Sequence, residues 1–552
     1  MSAEPALASA QPRLGDFTTT RRVIPISLIA VVIGGVCAIV ALALLRMIAL
    51  FTNVFYFQQF TFAAHSPALH HLGVWSVAVP VCGALVVGLM ARYGSDRIRG
   101  HGIPEAIEAI LVRGSRVETR VALLKPLSAA ISIGSGGPFG AEGPIIMTGG
   151  AFGSIIAQRF HLTSAERKTL LVAGAAAGMS ATFAAPVAAT LLAVELLLFE
   201  WKPRSFIPAA LASATAAVLR PFVLGAGPLF PTIPASAAAH PSSLAACVIV
   251  GLLAGALSVS LTAAVYGAED AFQRLPMHWM WWPAIGGLAI GLGGLIEPRA
   301  LGVGYDVIGD LLTGTLAGRA LLGLLLVKGA IWSISLGSGT SGGVLAPLLI
   351  MGAALGGLVA PFLPAETASY WPLVATGAIL GGTMRSPFTG VVFALELTHD
   401  VNMMLPLLIA VAIAHAFTVL ALRRSILTEK VGRRGFHLSR EYATDPLEIL
   451  FVREVMDTNG IPAETMEARG VVAYPDEPLT AVVNRMATTG HTSMLVVARE
   501  DATEVAGWIS LHHLLEARVR HLEEERRREG AVRLSRFIPR WIGTSAEYPA
   551  AR

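Results

Sequence analysis

The sequence predicts a mainly helical, polytopic membrane protein built from two repeats with broken helices, followed by a small α/β segment. Three observations carry that expectation. Of 552 residues, 54% are hydrophobic and 14% charged, too apolar a balance for a soluble chain of this length. The apolar runs fill residues 23 to about 422, whereas 423–552 has the composition of a soluble segment. The chain also matches itself at a shift of 203 residues. Lys125, Ile131, Ser132, Gly134, Ser135, Gly136, Gly140, Pro144, Gly149 and Gly153 meet Lys328, Ile334, Ser335, Gly337, Ser338, Gly339, Gly343, Pro347, Gly352 and Gly356. At a shift of 201, Pro186 and Glu195 meet Pro387 and Glu396.

Residues 1–20, rich in Ala, Pro, Ser and Thr, read as a disordered N-terminus. Arg21 and Arg22 then precede an apolar run over 23–50, longer than a signal-peptide core. It is expected to be a retained first membrane helix, with the N-terminus on the cytoplasmic side by the positive-inside tendency. A second span covers about 72–90. The basic stretch 92–120, also placed in the cytoplasm, contains Gly100-His-Gly-Ile-Pro104 and a helical 105–112. Apolar flanks at 125–133 and 145–156 surround a glycine-rich loop. Further apolar segments fall at 169–199, 206–224, 244–265, 281–296, 321–336, 344–363, 372–397 and 404–422, which makes ten or more membrane segments at about 20 residues per span. The domain expected at 21–435 thus has halves at about 21–225 and 240–425, with a cytoplasmic segment at 436–530 and a tail at 531–552.

The stretch Gly134-Ser-Gly-Gly-Pro-Phe-Gly-Ala-Glu-Gly-Pro144 stands at the centre. Its glycines and prolines break helices and leave main-chain N–H groups uncovered. Such backbone is tolerated inside lipid only where it is buried in protein or lines a watery cavity. A helix N-terminus there offers its dipole and free N–H groups to an anion, so the loop reads as an anion site beside one acid, Glu142. Paired halves interrupted by Gly and Pro at matching places point to a transporter-type site between repeats. The second loop, Gly337-Ser-Gly-Thr-Ser-Gly-Gly-Val-Leu-Ala-Pro347, has no acid, so Glu142 is unmatched.

The segments Gly100-His-Gly-Ile-Pro104, Gly140-Ala-Glu-Gly-Pro144 and Gly337-Ser-Gly-Thr-Ser-Gly-Gly343, with the repeated Pro186 and Pro387 blocks, resemble the signature segments of the CLC family. That family comprises chloride channels and proton-coupled chloride exchangers. The resemblance runs in the family's order over about 25–435. It implies a homodimer with one anion pathway per subunit, halves inserted in opposite orientations, chloride as the transported ion and no cofactor. It also implies an integral, multi-pass protein of the cell (inner) membrane.

Residue roles follow from the same resemblance. Glu142 falls at the external gate, which in exchangers also carries protons. His101 stands where the family usually has a serine that coordinates the central anion; either its imidazole donates there, or the N–H groups of Gly102 and Ile103 do. Gly140 and Gly143 belong to the same anion-binding loop, and the second loop contributes the N–H groups of Val344 and Leu345. Leu196 occupies the place of the exchangers' internal glutamate, and Leu427 lies near that of the inner-gate tyrosine. Both leucines favour a voltage-gated chloride channel over a proton-coupled antiporter. Lys125 either raises anion affinity through its field or, like Lys328, anchors its helix end. Glu195, matched by Glu396, bonds loop backbone or relays protons.

In the tail, Arg453-Glu-Val-Met-Asp457, Ala473-Tyr-Pro-Asp-Glu-Pro-Leu479, Met486, Val496-Val497 and Gly507-Trp-Ile-Ser510 resemble one CBS regulatory module of the βαββα kind. Such modules bind adenine nucleotides as tandem pairs. A single copy argues against a nucleotide site within one subunit, although pairing across a dimer restores one. The run 518–529 reads as a solvated helix of Glu/Arg pairs.

Other classes fit less well. The net charge of +4 is modest, with basic residues mostly in loops and tail, so nucleic acid is not indicated. Cys37, Cys82 and Cys247 stand alone in apolar runs and read as packed thiols. A polytopic membrane enzyme binding a phosphate group would need a P-loop lysine, an HExxH helix or paired carboxylates, and the sequence has none of these at the right spacing.

Overall fold

A computed structural model describes residues 20–232, 234–235, 240–435, 447, 450–462, 465, 471–499 and 504–529. The N-terminal segment expected to be disordered, apart from Thr20, and the tail at 531–552 lie outside the described residues. The chain divides into two units, one reaching Arg440 and one beginning at Glu441.

The first unit is all helical. Its first half runs α1 (Val23–Thr52), α2 (Ala78–Tyr93), α3 (Ile103–Val112), α4 (Thr119–Gly134), α5 (Glu142–Ala157), α6 (Ser164–Phe183), α7 (Pro186–Leu192) and α8 (Pro203–Val223). The second half runs α9 (Pro241–Gln273), α10 (Trp282–Ile296), α11 (Tyr305–Leu312), α12 (Arg319–Gly337), α13 (Leu345–Val359), α14 (Tyr370–Met384), α15 (Pro387–Thr398), α16 (Met404–Ala421) and α17 (Ile426–Arg433). Among the described residues, eight helical stretches are long and apolar enough to cross a membrane. The protein is an integral, multi-pass membrane protein. The 33 residues of α9 rise about 50 Å at ~1.5 Å each, more than a bilayer's hydrocarbon, so that helix tilts or projects.

The apolar segments at 169–199 and 372–397 are each two helices rather than one span. Ala184 and Arg385, at matching places in the repeats, adopt the left-handed conformation with φ of 56° in both. Pro186 and Pro387 then open the next helix. Proline has no N–H to continue the ladder, and it disfavours α geometry in the residue before it. The chain after α7 widens into a π-helical turn over Ala193–Leu198.

Repeat-equivalent glycines let these helices approach closely. A Cβ on Gly149 or Gly153 of α5 would strike the backbone of Gly174 or Leu170 in α6. One on Gly352 or Gly356 of α13 would strike that of α14 at Ala375 and Thr376 or at Trp371. In lipid, where no hydrophobic effect pulls helices together, small residues at the crossing supply the contact. Cys37 and Cys247 are buried, as expected. Cys82 is not: it is exposed on α2, because a lipid-facing side is as apolar as the core and an apolar run cannot distinguish the two.

The second unit runs β1 (Val472–Ala473), α18 (Leu479–Thr489), β2 (Ser493–Val497), β3 (Val505–Ser510) and α19 (Leu511–Glu529). The sheet order is β1-β2-β3, parallel then antiparallel, with a register shift at Val496/Val497. Val452, Ala473, Leu479, Val482, Met494, Val496 and Ile509 form its core. Arg485 of α18 ties the helix to β1 by donating to the Val472 carbonyl at 2.5 Å, and it pairs with Glu477 at 2.8 Å.

Candidate functional site

Three glycine-containing segments meet between the halves: residues 98–102 before α3, the loop between α4 and α5, and the loop between α12 and α13. Backbone hydrogen bonds zip them together. The Gly140 N–H donates to the Gly343 carbonyl at 3.2 Å and the Gly343 N–H returns to Gly140 at 2.9 Å. The Gly100 N–H donates to Thr340 at 2.8 Å, and the Gly342 N–H to Gly100 at 3.4 Å. Gly136 and Gly339, equivalent in the repeats, hold φ of 101° and 81°, which glycine adopts without strain.

Buried lysines hold the segments from behind. Lys125 Nζ donates to the carbonyls of Ile98 and Gly100 at 2.9 and 2.7 Å and to Ser341 Oγ at 3.2 Å. Lys328 does the equivalent in the second half, at 3.1 Å to Ala300 and 3.3 Å to Gly302. Both lysines therefore make the anchoring contacts, each to the segment that precedes the short helix of its own half.

Glu142 is the first residue of α5 and is fully buried. Its carboxylate folds back over Gly140 and across to Gly343, where a Cβ on either glycine would collide with Oε2. Its own N–H and that of Ala346 in the first turn of α13 are within reach. Neither carboxylate oxygen makes a well-formed hydrogen bond. Gly143 packs against the His101 carbonyl and Gly343 Cα. The N-termini of α3, α5 and α13, the last beginning at Leu345 after Val344, thus converge on one buried spot. Their first-turn N–H groups have no intrahelical acceptors and carry the positive end of each dipole.

The Gly102 N–H was expected to be available to an anion and is not. It donates to Glu105 Oε2 at 2.8 Å, because a glutamate three residues into α3 reaches back to cap that helix. Of the two backbone donors expected there, Ile103 N–H remains. Glu105 Oε1 in turn accepts from Lys430 Nζ of α17 at 2.8 Å. Sequence reasoning singled out neither residue; the capping spacing was the one available signal. His101 is 3% exposed with Nδ1 unpartnered, and it lines a cavity of about 1100 Å³.

Leu196 is buried in the π turn after α7, and Leu427 is buried in the first turn of α17. Neither supplies a polar atom. The hydroxyl found beside α17 belongs to Tyr266 of α9, which donates to the Ile426 carbonyl at 2.5 Å. Glu195 accepts from the N–H groups of Phe388 and Thr389 at 3.2 and 2.8 Å. Glu396 accepts from those of Val187 and Ala188 at 3.0 and 2.7 Å. Among the described residues no three His, Cys, Asp or Glu side chains cluster as a metal site.

Two repeats with helices broken at their meeting place, and three helix N-termini aimed at one buried spot, define a membrane protein that transports anions. The sequence model of the voltage gated chloride channel family matches residues 82–419, and the chain belongs to that family. It is a transport protein and not an enzyme.

Among its relatives, the H(+)/Cl(-) exchange transporter ClcA of Salmonella paratyphi B is 30% identical over 405 residues, which cover 70% of this chain and 83% of the transporter. The fold is similar to that of a slow cyanobacterial Cl-/H+ antiporter, with a TM-score of 0.64 at 20% identity over 75% of this chain and 98% of that one. It is also similar to a CLC-type fluoride/proton antiporter, with a TM-score of 0.62 at 20% identity over 73% and 97%.

Proposed function

We propose that this protein exchanges chloride for protons across the membrane, with Glu142 as the carboxylate that alternates with the anion. The observation that carries the reading is the position of Glu142, buried, with only the N–H groups of its own residue and Ala346 in reach, and folded over the glycine bridge where three helix N-termini meet. An ionised carboxylate there takes the place an anion would take. Protonation removes its charge and frees it to leave, which couples one ion to the other. Backbone N–H groups of Ile103, Gly143, Val344 and Leu345, together with the His101 imidazole, receive the anion, while the Gly140 N–H, expected to join them, is spent on the Gly343 carbonyl at 3.2 Å. Lys125 orders the segment that carries His101.

Leu196 and Leu427, where exchangers of the family carry a glutamate and a tyrosine, favour a voltage-gated channel. The names of the relatives, H(+)/Cl(-) exchange transporters, favour exchange. Under that reading protons reach Glu142 without a carboxylate at position 196. Passive chloride conduction is the second reading, carried by those two leucines. The protein acts as a homodimer in the cell membrane, with both termini in the cytoplasm, and its second unit is a single CBS-like regulatory module matching the β–α–β–β–α order.

The test is the reversal potential of purified protein in lipid vesicles under a chloride gradient, with and without an opposing proton gradient. Exchange predicts that the proton gradient moves the reversal potential. A potential that follows chloride alone would mean a channel, and no anion flux above empty vesicles would discard both.

A further inference from the structure

The cavity that ends at His101 holds far more room than a monatomic anion needs. Its walls carry seven lysine or arginine side chains against three carboxylates. Four of the cations are already paired: Lys430 with Glu105, Arg433 with Asp270, Arg434 with Glu108, and Arg424 with Glu429 at 3.9 Å. Arg99, Arg274 and Arg423 have no ion-pair partner among the described residues. Asp96 and Glu269, the remaining carboxylates of the wall, are set against these three cations and leave the concavity positive, so an anion is drawn to it.

Arg99 is held ready for such an ion. Its guanidinium lies 4.4 Å from the ring centre of Trp279 and 5.9 Å from that of Trp282, while its Nε is buried without a hydrogen-bond partner. Gly339 makes room for it, since a Cβ there would sit 2.6 Å from Nη2. Stacking fixes the plane of the guanidinium, and its fork of donors matches phosphate oxygens in pairs.

We propose that this cavity binds a molecule bearing clustered phosphate groups, a diphosphate or triphosphate, and that its occupant closes the route to His101. The second part rests on the exchange reading; the first does not. The phosphates can come from a soluble compound or from a lipid headgroup. Trp279 and Trp282 line the cavity, and tryptophan is enriched at membrane–water interfaces, where basic pockets take anionic headgroups.

Purified full-length protein in detergent at low salt would be titrated calorimetrically with pyrophosphate and with orthophosphate. The comparison is a double variant, Arg274→Gln with Arg423→Gln, both exposed and unpaired, so the fold does not depend on them. Pyrophosphate should bind at least tenfold more tightly than orthophosphate and at least tenfold more weakly to the variant, and it should reduce chloride flux when added to vesicles. If pyrophosphate does not bind, retention of added cardiolipin by the wild type and its loss from the variant would assign the diphosphate to lipid. If the variant and the wild type hold both probes equally, or neither, the proposal is overturned. Because binding is read without transport, a protein that binds pyrophosphate yet fails to couple protons to chloride would sink only the exchange reading.

Discussion

Glu195 and Glu396 cap each other's helices: each sits near the end of one short helical segment and accepts two N–H groups from the start of the other. The two segments open at Pro186 and Pro387, pack against each other, and come from opposite halves of the chain. The arrangement follows from the repeat itself, since one sequence feature placed twice satisfies both helix ends.

Replacing Glu195 by Ala leaves the Phe388 and Thr389 N–H groups unpaired. A hydrogen bond to a charged group is worth about 1.5–3 kcal/mol, less where it is exposed as at Phe388, so thermal unfolding in detergent should occur at lower temperature. Glu195→Gln, which keeps one acceptor, should lose less. A Glu195→Ala protein as stable as the wild type would show that these bonds contribute nothing.

Glu142→Gln should conduct anions with no dependence on acid and no coupling to protons, because its side chain is permanently neutral. Flux and proton uptake in the same vesicles check both halves. Abolished anion flux in a folded Glu142→Gln protein would remove Glu142 from the gate.

In the Glu105–Lys430 pair the glutamate is buried and the lysine half-buried, with side-chain exposures of 5% and 16%. Glu105→Ala strands the lysine charge and frees the Gly102 N–H, at a cost of about 3 kcal/mol. Adding Lys430→Met to that variant should restore much of the loss. A double variant as unstable as the single one would mean that the charge of Lys430 is not the source.

Gly356→Ala should destabilise the protein by about 1–3 kcal/mol through overpacking, since its Cβ meets the α14 backbone at Trp371. Gly267→Ala, inside α9 two turns before its C-terminus and with nothing within 4 Å of an added Cβ, should instead stabilise by up to about 1 kcal/mol through helix propensity. Denaturation midpoints of the two variants should move in opposite directions.

His101→Ser replaces a buried imidazole by a hydroxyl at the head of the cavity. Anion preference, measured as relative chloride and nitrate flux, should change. Unchanged preference would leave recognition to the backbone.

Much of this site was legible in the sequence because glycine, proline and a lone carboxylate in an apolar run have few explanations. The repeat could be read for the same reason: Gly149 and Gly153 recur as Gly352 and Gly356 because both crossings need bare backbone. The Glu105–Lys430 pair was not legible, being 325 residues apart along the chain. Nor was the commitment of the Gly102 N–H, which depends on how Glu105 turns. The prolines at 186 and 387 signal breaks in these apolar segments, but not that Ala184 and Arg385 are the residues that turn left-handed. Cys82 was misread because in a membrane an apolar neighbourhood carries no information about which way a residue faces.

The exchange of hydrogen bonds between Gly140 and Gly343 ties the halves together at the centre of the molecule. Swinging one half bodily against the other would tear these buried peptide contacts and those of Gly100 with Thr340 and Gly342. Each buried group left bare would cost about 1–3 kcal/mol. The scaffold is riveted where a rocking machine would need its bearing, so the proposed alternation of Glu142 with the anion asks only for a few side-chain bonds to turn.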